Sequence, residues 1–199
     1  MFSTVWLTMI FTLAGAAVGS FLNVCIFRIP EGLSIVSPPS RCPHCGRPIR
    51  FYDNIPVVSY LLLGGKCRDC RGRISPRYPL VELLTALVAW LLFRKYGLTP
   101  AYAAVFVFSC ALIVITFIDL DHQIIPHVIT LSGIPLFSLL AVFCMGLSFV
   151  DSFLGIMIGA GILYFVAVYY EALTGREGMG GGDVNLLAML GAFLGWKSL

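Results

Sequence analysis

Charge is what this 199-residue chain has least of: only 12% of its residues are Asp, Glu, Lys or Arg, against 59% hydrophobic ones. A soluble domain of this length carries about 25% charged residues, and the mean hydropathy here is +0.93. A soluble globule, a disordered tail and a secreted disulfide mini-protein are all excluded. Residues 1–27 contain no charged side chain at all. The basic n-region of a cleavable signal peptide is therefore missing, and the start reads as a retained first span. No internal repeat of fixed period is present, nothing is low-complexity beyond the glycine cluster at 178–182, and no nucleotide-type glycine motif occurs.

What is present is a set of charge-free runs long enough to cross a bilayer repeatedly. They predict an all-α polytopic membrane protein with spans at 5–27, 78–93, 100–118, 124–150, 153–170 and from 184 onward. The sixth run, 184–196, is shorter than the roughly 20 residues a crossing needs, so it is expected to be truncated and the chain to be a piece of a longer protein. Thirteen Lys and Arg against ten Asp and Glu give a formal charge of +3, and nine of the basic residues fall between Arg28 and Arg77. Short basic loops remain in the cytoplasm. The N-terminus is thus expected outside, the 28–77 insert inside, and Asp119, Asp121 and Asp183 at one cytoplasmic face.

The insert carries Cys42-Pro-His-Cys45-Gly46 and Cys67-Arg-Asp-Cys70-Arg-Gly72, a C-x2-C…x21…C-x2-C pattern. Two such turns aim four thiolates at one point, the arrangement of a structural zinc ribbon. Disulfides compete poorly in a cytoplasmic insert, and a redox dithiol or His44 as an alternative ligand are lesser readings. Arg41, Arg47, Lys66, Arg68 and Arg71 are close enough in sequence to offset the charge of a zinc–thiolate group. Four sulfur ligands leave no open position for a substrate. Cys25, Cys110 and Cys144 stand singly within spans and read as packing residues.

Ionisable groups at membrane depth mark sites by default. Glu82 either snorkels to the interface or pairs with a basic neighbour, or else it lines a polar site. Asp119-Leu-Asp121 closes the third span ahead of Pro126, which suits the first turn of the next helix, and His122 and His127 flank it. Four glycines among residues 178–182 precede Asp183, where their missing side chains allow close approach of a peptide or helix; Asp183 alone also reads as an N-cap. Two carboxylates about 4 Å apart repel by several kcal/mol at an effective dielectric near 20, so such a pair tends to share a proton. That is the layout for peptide hydrolysis by water, one carboxylate as base and the other as acid. Two other classes compete: an ion or proton transporter using Glu82, Asp119 and Asp183, and a scaffold whose zinc knob recruits partners.

At these residues the sequence resembles the type IV prepilin peptidases. The resemblance is carried by Gly19-Ser-Phe-Leu-Asn-Val-Cys-Ile-Phe-Arg-Ile-Pro30, the two cysteine knuckles, Arg77-Tyr-Pro-Leu-Val-Glu82, Ile118-Asp-Leu-Asp-His-Gln-Ile-Ile-Pro126 and Thr174-Gly-Arg-Glu-Gly-Met-Gly-Gly-Gly-Asp183. It implies a bifunctional prepilin endopeptidase and N-methyltransferase of the bacterial inner membrane, with Asp119 and Asp183 as catalytic acids and S-adenosylmethionine as methyl donor. It also implies that the substrate is the helix of a prepilin or pseudopilin with a basic leader. Lipid is the other expected partner, and nucleic acid is not one. The chain departs from many relatives at His127, where they carry Asp, and at Asn185, where they carry Lys. The expected division is a first span at 1–27, a four-cysteine zinc-binding insert at 28–77 forming the methyltransferase part with its flanking spans, and a peptidase domain at 78–199.

Overall fold

The computed structural model describes residues 2–176, 178 and 180–199. Among them are seven α-helices: α1 Phe2–Arg28, α2 Val58–Leu62, α3 Arg77–Tyr96, α4 Pro100–His122, α5 His127–Met145, α6 Phe149–Thr174 and α7 Gly181–Leu194. Short 3-10 turns occupy Phe51–Asn54 and Trp196–Ser198. No strand occurs among the described residues, only the isolated bridges Arg41↔Pro48 and Lys66↔Arg73.

Six long helices fall on the six apolar runs. Four of them, α1, α4, α5 and α6, are long and apolar enough to cross a membrane, which makes this a multi-pass membrane protein. Helix α3 has the length, with 20 residues, but carries Arg77, Glu82, Arg94 and Lys95. Helix α7 has 14 residues, about 21 Å at 1.5 Å per residue. The run expected at 124–150 is shorter as a helix. Pro126, with its fixed φ, stands as the N-cap of α5, and Gly146 closes the helix in the left-handed conformation at φ 72°.

The chain forms two compact units. The first comprises Met1–Tyr102 and Ser109–Phe117 and is built on α1 packed against α3. Small residues bring these helices into near-backbone contact. A Cβ at Gly19 would lie 2.8 Å from the Cα of Glu82, and Gly15 abuts Ala89 and the Thr85 carbonyl. Asn23 Nδ2 donates to the Tyr78 carbonyl at 3.0 Å, tying α1 to the start of α3. Farther along, the Phe11 and Phe93 rings stack at 4.5 Å with Tyr102 edge-on to both.

The second unit comprises Ala103–Phe108 and Ile118–Leu199. Here α7 packs against both α5 and α6. A Cβ at Gly155 would fall on the Gly191 carbonyl, and one at Gly159 would lie 2.6 Å from the Leu187 carbonyl. Ser138 and Ser152 hydroxyls pair at 2.7 Å, and Ser152 donates to the Ala192 carbonyl at 2.7 Å, joining α5, α6 and α7 through one buried polar chain. Phe108, Phe137 and Phe193 fill the adjoining core, with the Phe108 and Phe193 rings stacked at 4.1 Å.

Candidate active site and metal centre

The carboxylates of the second unit sit at helix ends. Asp119 and Asp121 both lie in the last turn of α4, which runs to His122, and both are exposed. Gln123 caps that end with φ 54°, its N–H donating to the Asp119 carbonyl at 2.8 Å. Asp183 is not the N-cap of α7, as its position suggested. Gly180 holds that place and Asp183 falls in the first turn, its N–H bonded to the Gly180 carbonyl. Gly181 and Gly182 are the first residues of the helix, and Gly182 is seated directly against the chain that follows α4. A Cβ at Gly182 would lie 2.8 Å from the Cβ of Ile125, and one at Gly181 would lie 3.8 Å from His127 Cε1. His127, at the start of α5, shares a 3.0 Å hydrogen bond between its Nδ1 and Asn185 Nδ2. The glycine turn bearing Asp183 therefore abuts the 125–127 link that follows Asp119 and Asp121. The exposed Asp183 carboxylate stands among the unpaired N–H groups of a helix N-terminus, where an anion is favoured. Within the 174–183 stretch, Glu177 and Met179 lie outside the described residues.

In the first unit the four expected cysteines converge. The Sγ atoms of Cys42, Cys45, Cys67 and Cys70 all lie within 4.8 Å of one another, and Cys42 and Cys70 are 3.8 Å apart. A tetrahedral zinc–thiolate centre, with Zn–S near 2.3 Å, has sulfurs about 3.8 Å apart. The donor set fits zinc. Each knuckle is closed by its own backbone: Cys42 N–H donates to the Arg47 carbonyl and Cys67 N–H to the Gly72 carbonyl. Backbone N–H groups of Cys70 and Asp69 aimed at the Cys67 sulfur hold its pKa down to about 7. Cys70 also receives such a bond, from Gly72, but burial and the neighbouring thiols outweigh it and push its pKa up to about 11. Four crowded thiols compete for one negative charge, the conflict that a divalent cation resolves.

His44 is not a ligand there. Its Nε2 bonds the Arg73 carbonyl at 3.2 Å, and its ring occupies the space left by the missing side chain of Gly72. Two of the arginines expected to offset thiolate charge are also engaged elsewhere. Arg47 pairs with Asp69 at 3.1 Å, and Arg68 grips both oxygens of Asp53. That guanidinium holds the Asp53 carboxyl below its ordinary range.

Glu82 proves to line a polar site. It is buried, with 8% exposure, and accepts the Val57 N–H at 2.7 Å. Val57 is held at φ 63°, rare for a β-branched residue, with the next N–H closing a tight turn on Pro56. Sequence reasoning misses this partner, since nothing in composition announces the conformation of Val57.

The fold and these two sites define a polytopic helical membrane protein with carboxylates at one helix-end cluster and a four-cysteine centre in a polar insert. A family model described as the bacterial Peptidase A24 N-terminal domain matches residues 13–96, and one described as the type IV leader peptidase family matches residues 106–199. A prepilin leader peptidase/N-methyltransferase of Myxococcus xanthus is 44% identical, over 93% of this chain and 55% of that protein. Similar proteins of the same name from Pseudomonas aeruginosa and Neisseria gonorrhoeae are 40% and 39% identical, covering 94% and 93% of this chain and 72% and 73% of their own length. The chain thus spans just over half of the first relative and under three quarters of the other two. No solved structure matches it. The chain belongs to the type IV leader peptidase family.

Proposed function

We propose that this protein removes the basic leader from type IV prepilins or pseudopilins and N-methylates the new N-terminus. The observation that carries the reading is the Gly181-Gly182-Asp183 turn seated on the 125–127 link beyond Asp119. It sets the first turn of α7, which bears Asp183, against the segment that follows Asp119 and Asp121. Asp119 and Asp183 act as one unit. The ionised member takes a proton from water as its oxygen attacks the scissile carbonyl carbon. The protonated member polarises that carbonyl and then gives its proton to the departing amine. Protons balance over the cycle, and one carboxylate is again protonated at its end.

In the bacterial inner membrane, with the N-terminus outside, these acids lie at the cytoplasmic face. A basic leader waits there by the same charge rule that orients this chain. Cys42, Cys45, Cys67 and Cys70 hold a structural zinc ion, and S-adenosylmethionine supplies the activated methyl group. The division follows the chain: residues 1–27 and the 28–77 insert serve methylation, and 78–199 serve proteolysis, with α3 supporting both. Transport is disfavoured because Asp119 and Asp183 are exposed at helix ends. Transporters place such groups at mid-depth on broken helices.

The test is incubation of the purified chain with a prepilin, following leader release by mass. Asp119→Asn and Asp183→Asn each lower cleavage by at least about 100-fold, while Asp121→Asn retains most of it. Cleavage that survives at Asp119→Asn and vanishes at Asp121→Asn reverses the assignment.

A further inference from the structure

The first unit contains a cavity of about 450 Å³ that the carboxylate site does not use. Its floor is one face of α1, formed by Ala17, Ser20, Phe21, Val24 and Arg28. This face is distinct from the one that packs Gly15, Gly19 and Asn23 on α3. The loop at 35–40 covers the cavity, and Asn54 borders it. Arg28 fixes that loop by donating to the Ser34 and Pro38 carbonyls at 2.8 and 2.7 Å. Those bonds use two of the five N–H donors a guanidinium carries.

We propose that this cavity is where the chain binds its methyl donor, an assignment that rests on the methyltransferase reading above. Its size lies within the range of small-molecule sites, and its lining has their usual character of apolar walls with a few convergent polar groups. S-adenosylmethionine presents a flat base, a hydroxylated sugar and a carboxylate, and the cavity offers a counterpart to each. Phe21, Pro38 and Pro39 form apolar surfaces for a flat ring. Ser40 and Asn54 offer donors and acceptors for hydroxyl and amine groups. The remaining donors of Arg28 suit a carboxylate. Ser20 borders the cavity beside Gly19, the residue through which α1 is seated on the Cα of Glu82.

The experiment is photo-crosslinking of radiolabelled S-adenosylmethionine to the full purified chain, with peptide mapping of the label and equilibrium binding measured alongside. Label is expected within residues 17–54. Ala17→Phe, which fills the cavity from α1, is expected to weaken binding at least tenfold at an unchanged thermal midpoint. Arg28→Gln provides the second variant should Ala17→Phe fail to fold, with a loss of similar direction. Label confined to residues 103–199, or wild-type affinity in both variants, overturns the assignment. So does label displaced by phosphatidylglycerol but not by S-adenosylhomocysteine. A wild-type chain that cleaves prepilin yet takes up no label overturns the methyltransferase reading itself.

Discussion

In the first unit, α1 and α3 meet through glycine and hand their polar work to the chain between them, residues 29–76, which sulfur gathers into a compact insert. In the second unit, α5, α6 and α7 meet equally closely, but the exposed acids Asp119, Asp121 and Asp183 sit on the helix ends themselves. Glycine packing serves a different purpose in each. Gly19 brings α1 onto the Cα of Glu82 and so helps bury that carboxylate, whereas Gly155, Gly159 and Gly191 seat α7 so that its first turn meets the link after α4. The lesson is one of dependence. The insert brings four cysteines together in a polar segment too short to have much core of its own, the setting in which a metal ion would contribute to folding. The acids of the second unit need only helix packing to hold them in place.

The largest expected effect breaks the second unit. Gly155→Ala sets a methyl on the Gly191 carbonyl, and backbone cannot give way as a flexible side chain would. Overpacking of this kind costs about 3 kcal/mol, and a thermal melt in detergent is expected to show it. Gly161→Ala on the same helix meets nothing within 4 Å and is expected to leave the melt unmoved. Equal shifts from both substitutions would mean that α6 does not pack on α7 through glycine.

Much of this contrast is legible in the sequence, for identifiable reasons. Apolar runs mark the helices because lipid demands them, and Pro126 and Gly146 mark ends because their backbones resist or relieve helix. The cysteine spacing marks the metal centre because two short turns are enough to aim four thiolates. Helix partners are not legible. Nothing in the local pattern says that Gly19 meets Glu82 or that Ser138, Ser152 and Ala192 join three helices. From sequence, Glu82 is ambiguous between snorkelling and a polar site; its burial and the bond from Val57 decide it. Propensity also starts α7 three residues late, because Asp outranks glycine as a cap, whereas in the fold Gly180 is the cap and Gly182 packs on Ile125 inside the helix.

A middle-sized effect belongs to the first unit. Replacing Cys42 and Cys67 together with serine is expected to abolish bound zinc, measured by metal analysis of the reduced protein, and to open the insert to protease. The thermal transition of the second unit is expected to persist. A smaller effect concerns Asp53 and Arg68. Because the guanidinium lowers the Asp53 pKa in the folded chain, its stabilisation is present above the unfolded value near 4 and is lost as pH falls through the folded one. Protease resistance of the insert should decline only below about pH 4, and Asp53→Asn should remove that dependence.

The central claim is that cleavage and methylation draw on separable parts of the chain, the acids of the second unit for one and the cysteine insert for the other. The most direct measurement takes wild type and the Cys42→Ser, Cys67→Ser variant, both verified as membrane-inserted, and follows both products on one prepilin with labelled S-adenosylmethionine. The variant is expected to release leader peptide at a rate within about tenfold of wild type, as hydrolysis needs only the two carboxylates and water, while incorporation of label is lost. Complete loss of leader release in the inserted variant, or methylation undiminished in the absence of zinc, would contradict the claim.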